Sequence, residues 1–375
     1  MDKIIVFRGA YKPNTAPMNR LLSMLKGFDE LGIEVEMVFA YTNHKGDYLD
    51  ESQYKHVKIK NLWKGHRIQN KLFRYLVSFW DTWRYARKIA DGSKVFLSGS
   101  NEFVPLFVGR KGISVYHERT EHYNVVKLKP GFLQKWYLKA IPKLDGMFVI
   151  TTALKEAFEA IGARNVVVVN MTVDANRFVH LEKQEVEHRY VAYCGTASNN
   201  KDGVDDLIKA FSIVHKKYQE IKLFIIGKAP SSEDESGNLK LVKDLGLTES
   251  VVFTGVVPAQ EMPQLLKNAC MLALARPDSL QARCGFATKL GEYLLTGNPV
   301  VITKVGDFPL FLEDKVSARL AEQRNPEDFA EKMLWVLEHP AESFAMGQAG
   351  KQVALQHFNY KTETEKIVNI IFPER

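Results

Sequence analysis

The chain has 375 residues, enough for two ordinary domains, and 46% of them are apolar, so a sizeable core is available. No run of 18 apolar residues occurs, which excludes a helix spanning a bilayer. The three cysteines, Cys194, Cys270 and Cys284, lack the spacing of a metal site or a disulfide framework, and the net charge of +7 is modest for the length.

The opening MDKIIVFRGAYK has too short an apolar stretch for a signal peptide and reads as a first buried strand. Strands are predicted at Lys3–Arg8, Glu34–Phe39, Val57–Ile59, Val95–Ser98, Ile113–His117, Met147–Thr151 and Val166–Val169. They alternate with helical stretches at Met18–Leu31, Phe73–Ala90, Pro130–Pro142 and Ala153–Ile161. The polar stretch VHLEKQEVEH, 179–188, suits a linker. A second alternating set places strands at Tyr190–Cys194, Lys222–Ile226, Val251–Thr254, Met271–Leu274 and Pro299–Ile302. Asn325-Pro326-Glu327-Asp328 is a helix start with a cap, an N1 proline and an acidic first turn. Such alternation argues for doubly wound α/β domains, and no period of solenoid length is present. Cys194 and Cys270 fall in or beside core elements and read as inert buried thiols of a reducing compartment, the cytoplasm.

Residues 55–90 hold ten basic side chains and one acidic one, Asp81. The same stretch carries Trp63, Phe73, Tyr75, Phe79, Trp80, Trp83 and Tyr85, and Arg67, Lys71 and Arg74 recur at helical spacing. Two readings stay open. Basic and aromatic residues on an amphipathic segment suit an anionic bilayer, making the chain peripheral on the inner face of the membrane. Alternatively the segment is a solvated helix with its rings in the core. Nucleic acid is disfavoured, because no nucleic-acid fold motif accompanies the charge.

Ser114–Tyr123, SVYHERTEHY, follows an apolar run with a dense polar cluster. His117, Glu118, Arg119, Glu121 and His122 are therefore expected at a strand's carboxyl end, where α/β proteins bind ligands. A neutral imidazole at His117 suits a hydrogen bond to a hydroxyl, and Glu118, Arg119 and Glu121 are candidates for an acceptor. A structural polar knot is the competing reading, and a zinc site from His117, Glu121 and His122 is less favoured.

The strongest motif is CGFATKLGEYLLTGNPVV, 284–301. It reads as a glycine turn, a short helix, a glycine stop and an apolar strand. Gly285 permits close backbone approach, and Thr288 is the expected N-cap, exposing the amides of Ala287, Thr288 and Lys289 to an anion. Glu292 lies one turn along on the same helix face, placed to accept from a sugar diol. Upstream, 189–214 gives the strand Tyr190–Cys194, a small-residue loop from Gly195 to Asn200, then Lys201 and an amphipathic helix. Asp205 and Asp206 suit that helix's first turn better than a metal.

These segments resemble the donor site of family 4 glycosyltransferases, which have the GT-B fold. Glu292 and Gly285-Phe286 match the family's second glutamate and glycine turn; Cys284 stands where the first glutamate is usual. Gly195 and Lys201 match the phosphate loop, with Thr196 in place of the usual arginine. Asn170-Met171-Thr172-Val173-Asp174 with Arg177-Phe178, the strand leading to Gly306 and Pro309, and Phe358-Asn359-Tyr360 also resemble family stretches.

The resemblance implies two Rossmann-like, doubly wound domains with a cleft between them: an acceptor domain at 1–180, a donor domain at 181–356, and a last helix, 357–375, crossing back. It implies retaining transfer of a sugar from a nucleoside diphosphate sugar to a glycan or lipid-linked acceptor in cell-surface polysaccharide synthesis. Lys201 would bind the diphosphate, Glu292 the ribose, and His117 would lie near the reacting sugar. Gly9, Gly195, Thr196, Gly227, Val256, Cys284, Phe286 and Ala287 would line the donor. No cofactor and no metal are expected, and no Asp-x-Asp motif is present. The substitutions at Cys284 and Thr196 keep a non-catalytic nucleotide-sugar-binding subunit open, and a GT-B nucleotide-sugar epimerase is a third reading.

Overall fold

The computed structural model describes residues 2–13, 15–41, 48–62 and 70–375, with the side chain of Lys71 excepted. Trp63 and Arg67 of the sequence reading lie outside the described residues. The chain divides into two units: 1–172 with 360–375, and 173–359.

The first unit runs β1 (Lys3–Arg8), α1 (Ala16–Glu30), β2 (Glu34–Phe39), β3 (Val57–Asn61), α2 (Lys71–Lys88), β4 (Lys94–Ser98), β5 (Ser114–Arg119), α3 (Gly131–Ala140), β6 (Gly146–Val149), α4 (Thr152–Glu159) and β7 (Val166–Val168). Its strands form one parallel sheet in the order β3-β2-β1-β4-β5-β6-β7. The apolar run IIVF of β1 is buried throughout, as a central strand covered on both faces requires. On α1, Met18, Leu21, Met24, Leu25 and Phe28 form the apolar stripe that packs on the sheet. Asn70 caps α2 by accepting from the Leu72 and Phe73 amides, so that helix starts earlier than its apolar pattern suggests.

The second unit runs β8 (Tyr190–Cys194), α5 (Asn199–Asp202), α6 (Val204–His215), β9 (Lys222–Ile226), α7 (Ser232–Asp244), β10 (Val251–Gly255), α8 (Met262–Asn268), β11 (Met271–Leu274), α9 (Leu280–Cys284), α10 (Lys289–Leu295), β12 (Val300–Thr303), α11 (Phe308–Phe311), β13 (Arg319–Ala321), α12 (Pro326–Glu338) and α13 (Pro340–His357). Its parallel sheet has the order β10-β9-β8-β11-β12-β13. The final helix α14 (Tyr360–Ile371) belongs to the first unit, where Ile367, Val368 and Ile371 join the core with Leu21 and Phe28. In both sheets the connection reverses direction once, at β1/β4 and at β8/β11. Ligands of doubly wound sheets bind at the carboxyl ends of the strands beside such a reversal.

Three features differ from the sequence reading. The units divide at 172/173 and 359/360 rather than at 180/181 and 356/357, because Val173 pairs in parallel with Asn359 and its amide bonds to the Phe358 carbonyl. The short strand β13 and helix α9 were not expected. And β5 continues through Arg119, since β4 and β6 pair with it on both sides as far as Glu118 and Arg119. Glu118 and Arg119 are thus strand residues, not a loop beyond the strand.

Candidate functional site

On the second unit, β8 ends in Gly195, whose φ of +134° is left-handed territory, and β9 ends in Gly227 at +133°. The Gly195 amide bonds to the Ile226 carbonyl at 2.8 Å, and the Gly227 amide to that of Gly255 at 2.9 Å. A Cβ on Gly227 would overlap the Gly195 carbonyl oxygen, and one on Gly195 would overlap the Lys289 ammonium. Bare backbone therefore lines the carboxyl ends of adjacent strands, with Val256 exposed just beyond Gly255.

Lys289 is the centre of this edge, and the sequence reading used it only as an amide. Its Nζ donates to Asp202 Oδ2 at 2.5 Å and to the Tyr193 hydroxyl at 2.9 Å, and lies 4.3 Å above the Tyr193 ring. Tyr193 Oη is 2.8 Å from Asp202 Oδ2 and 2.6 Å from the Thr196 carbonyl, so Thr196 enters through its backbone. Buried Arg276 approaches the other Asp202 oxygen, Nε to Oδ1 4.0 Å. Burial pushes the Asp202 carboxyl upward, but Lys289 and Arg276 together hold it below its ordinary value. Burial lowers the Lys289 ammonium, and the Arg276 charge adds to that, so Asp202 recovers only part of the loss. Two cations thus face one carboxylate. Beside them the Cys194 thiol is pushed up to about 11 by burial, as an inert thiol should be, and it feels the charges of Lys289, Glu292, Arg177 and Asp202.

Lys201 stands half-buried in α5, its amide bonded to the Ser198 side chain at 3.2 Å. Glu292 is in the first turn of α10, as expected, but its carboxylate is not open. Oε1 is held by Arg177, which also donates to the Ala259 carbonyl at 3.2 Å. Arg177 was read as part of a family stretch; the fold makes it the partner that orients Glu292. Thr288 occupies the N-cap position, yet its φ and ψ are already helical and its side chain makes no capping bond. The turn before it supplies the entry instead, through extended Gly285. Phe286 is a core residue rather than a ligand contact, its ring edge-on to Phe308, Phe311 and Phe358 at 5.1–5.9 Å. Cys284 and Ala287 are buried beside it. Asp206 pairs with Arg324 at 3.0 Å and Lys209 at 3.3 Å, in the first turn of α6.

On the first unit, Gly9 ends β1 and its amide bonds to Ser100 Oγ at 2.7 Å. His117 is fully buried two strands over, on β5, with Nδ1 3.0 Å from the Leu97 carbonyl and Nε2 3.2 Å from the Tyr137 hydroxyl. Desolvation lowers its pKa to about 3, so it is a neutral structural imidazole, not a group facing substrate. Glu118 is equally occupied: Arg20 donates to Oε1 at 2.6 Å and Ser98 to Oε2 at 2.9 Å. Arg119 and Glu121 differ. Arg119 Nε and Glu121 Oε2 are buried without a partner among the described residues. No group of three His, Cys, Asp or Glu is gathered in metal-binding array among the described residues.

Residues 188–339 match the family model described as Glycosyl transferases group 1. Over 98% of this chain and 99% of that one, the structure resembles Anabaena Alr3699/HepE in complex with UDP and glucose, with a TM-score of 0.73 at 17% identity. Staphylococcus aureus TarM, crystallised with UDP, gives 0.74 at 15% identity over 99% and 100%. The fold is GT-B. The matched segment contains every strand of the second unit's sheet. Among curated relatives, a Mycolicibacterium smegmatis GDP-mannose-dependent alpha-(1-6)-phosphatidylinositol monomannoside mannosyltransferase is 25% identical over 52% of this chain and 50% of its own. An Agrobacterium fabrum mannosylfructose-phosphate synthase is 24% identical over 53% and 43%. The chain spans half or less of the length of these relatives.

Proposed function

We propose that this GT-B chain is a retaining, metal-independent family 4 glycosyltransferase. It moves a sugar from a nucleoside diphosphate sugar to a glycan or lipid-linked acceptor in cell-surface polysaccharide synthesis. One observation carries the reading: the Lys289 ammonium, paired with buried Asp202, stands against the uncovered glycine edge of β8 and β9. It puts a cation where a diphosphate can approach backbone, and Lys201 adds a second cation next to Asp202 in the chain.

Breaking the bond between the sugar and the diphosphate sends its electron pair to the diphosphate. The sugar gains oxocarbenium character while negative charge grows on the leaving group. Lys201 and the Lys289 cluster stabilise that charge, and Lys289 supplies the field that the usual arginine would supply at position 196. Glu292, oriented by Arg177 through Oε1, presents Oε2 to the donor ribose. On the first unit Arg119 and Glu121, at the carboxyl end of β5, remain the candidates for the acceptor side.

A turnover assay over UDP-, GDP- and ADP-sugars tests this. Lys201→Ala is expected to lose about 100-fold or more in turnover with an unchanged melting point. Full activity in that variant would remove the site assignment. Nucleotide binding with no turnover on any acceptor would favour a binding subunit, the reading that Cys284 and Thr196 keep alive. Product formed from donor alone would mean an epimerase.

A further inference from the structure

The sequence left the aromatic residues of 71–88 divided between core and surface. The structure separates them: Phe79 packs on Phe103 at 5.0 Å, whereas Leu72, Phe73, Leu76 and Trp80 face outward on α2. At about 100° per residue these four positions fall within one face of roughly 100°. The face does not end with the helix. Phe79 stacks with Trp136 of α3 at 6.2 Å, and Trp136 and Phe132, one turn apart, are exposed beside it. The six side chains are between 39% and 68% exposed, a concentration of large apolar groups that a soluble surface does not need.

Charge identifies what covers them. Residues 122–144 contain five lysines and no acidic residue, and 71–88 contain five basic residues against Asp81, which is half-buried. Arg84, Arg87, Lys127, Lys129, Lys135 and Lys139 are exposed around the apolar face. Arg87 lies 4.5 Å over Trp83, which in turn stacks with Trp80 at 5.0 Å. A second copy of this chain would set one cationic rim against another. An anionic bilayer would accept the rings and leucines into its headgroup boundary while its phosphates meet the rim. No helix among the described residues is long and apolar enough to cross a membrane, so the contact is peripheral.

We propose that the joined outer faces of α2 and α3 form a docking surface for an anionic lipid bilayer. The proposal stands independently of the sugar-transfer reading, because it uses none of the donor-site residues.

The test is sedimentation of the full chain with large vesicles of phosphatidylcholine alone, or with about 30% phosphatidylglycerol, in salt of about 50 and 500 mM. The expected result is binding to the anionic vesicles at low salt that falls about tenfold or more at high salt, with little binding to phosphatidylcholine. Leu76→Ser with Phe132→Ser, and separately Lys135→Glu with Lys139→Glu, should each weaken binding about tenfold while the melting point is retained. All four side chains are exposed. Three results would each overturn the proposal: no binding to anionic vesicles at low salt, unchanged binding in both double variants, or a dimer that the Leu76/Phe132 variant dissolves without any vesicle binding.

Discussion

Removing Lys289 should expose how much of the second unit rests on one buried ion pair. At 2.5 Å from Asp202 Oδ2, its attraction is roughly 6–7 kcal/mol at an effective dielectric near 20. Arg276, 4.0 Å from the other oxygen, contributes about 4 kcal/mol on the same scale. In Lys289→Met the carboxylate keeps the weaker partner, while the cost of burying the ammonium disappears. Breaking a buried pair in this way typically costs about 3–5 kcal/mol. For a unit of this size each kcal/mol moves the melting point by about 2–4 °C, so the expected fall is roughly 6–20 °C. Asp202→Asn should cost a similar amount, because it leaves the buried Lys289 ammonium unneutralised. The double variant should be much better than the sum, with a coupling of about 2 kcal/mol or more. Scanning calorimetry of the full chain reads this, taking the transition that nucleotide shifts on the proposed reading as that of the second unit. Additive single variants would refute the pair. On the proposed reading Lys289→Met also weakens UDP or GDP by about tenfold or more, the worth of a charge-assisted hydrogen bond.

Two further outcomes follow from the same geometry. His117 has a folded pKa of about 3 against 6.5 unfolded, so between those values the unfolded chain binds the extra proton, and stability falls as pH drops below 6.5. At pH 4.5 the loss is about 2.7 kcal/mol; His117→Gln should remove this acid slope in calorimetry from pH 7 to 4.5, and an unchanged slope would contradict its neutral burial. Gly227→Ala should cost about 3 kcal/mol or more, because it adds left-handed strain to a clash with the fixed Gly195 carbonyl. Gly195→Ala should cost less, since its new methyl meets the movable end of Lys289, and equal losses would show that the lysine is as immobile as backbone.

Most of the fold was legible because burial on both faces leaves apolar runs of strand length, bounded by helices of period 3.6. The first two strands and all of the first five in the second unit differ from their sequence assignments by at most one residue at either end. The exceptions share a cause. β13 is Arg-Leu-Ala, and a buried arginine breaks the apolar signal. Arg319 is tolerated there because Asp314 accepts from it at 2.9 Å and the Trp335 ring lies 4.4 Å from its guanidinium. β5 was cut short for the same reason. Glu118-Arg119 reads as a polar loop until Arg20, 98 positions before Glu118, is seen to neutralise it. Local sequence shows the charge and hides the partner.

That asymmetry also explains why the site was half-read. Glycines and the turn before α10 were visible because backbone demands are local. Lys289 was not, although it follows Thr288 directly, because its meaning depends on Asp202, 87 residues away, and on the absence of a side chain at Gly195. The departure at Thr196 looked like a missing phosphate contact. In three dimensions the relevant quantity is the field at the strand end, not the residue at one position. A lysine entering from the other side of the β8/β11 reversal can restore that field with no arginine in the loop. The same reasoning makes Arg177 informative: a carboxylate at Glu292 is useful to a diol when its orientation is fixed, and Arg177 fixes it through Oε1. Substitutions away from a family pattern therefore weigh against activity when the lost interaction has no replacement in space, and on the proposed reading the Lys289 ammonium against Gly195 is that replacement.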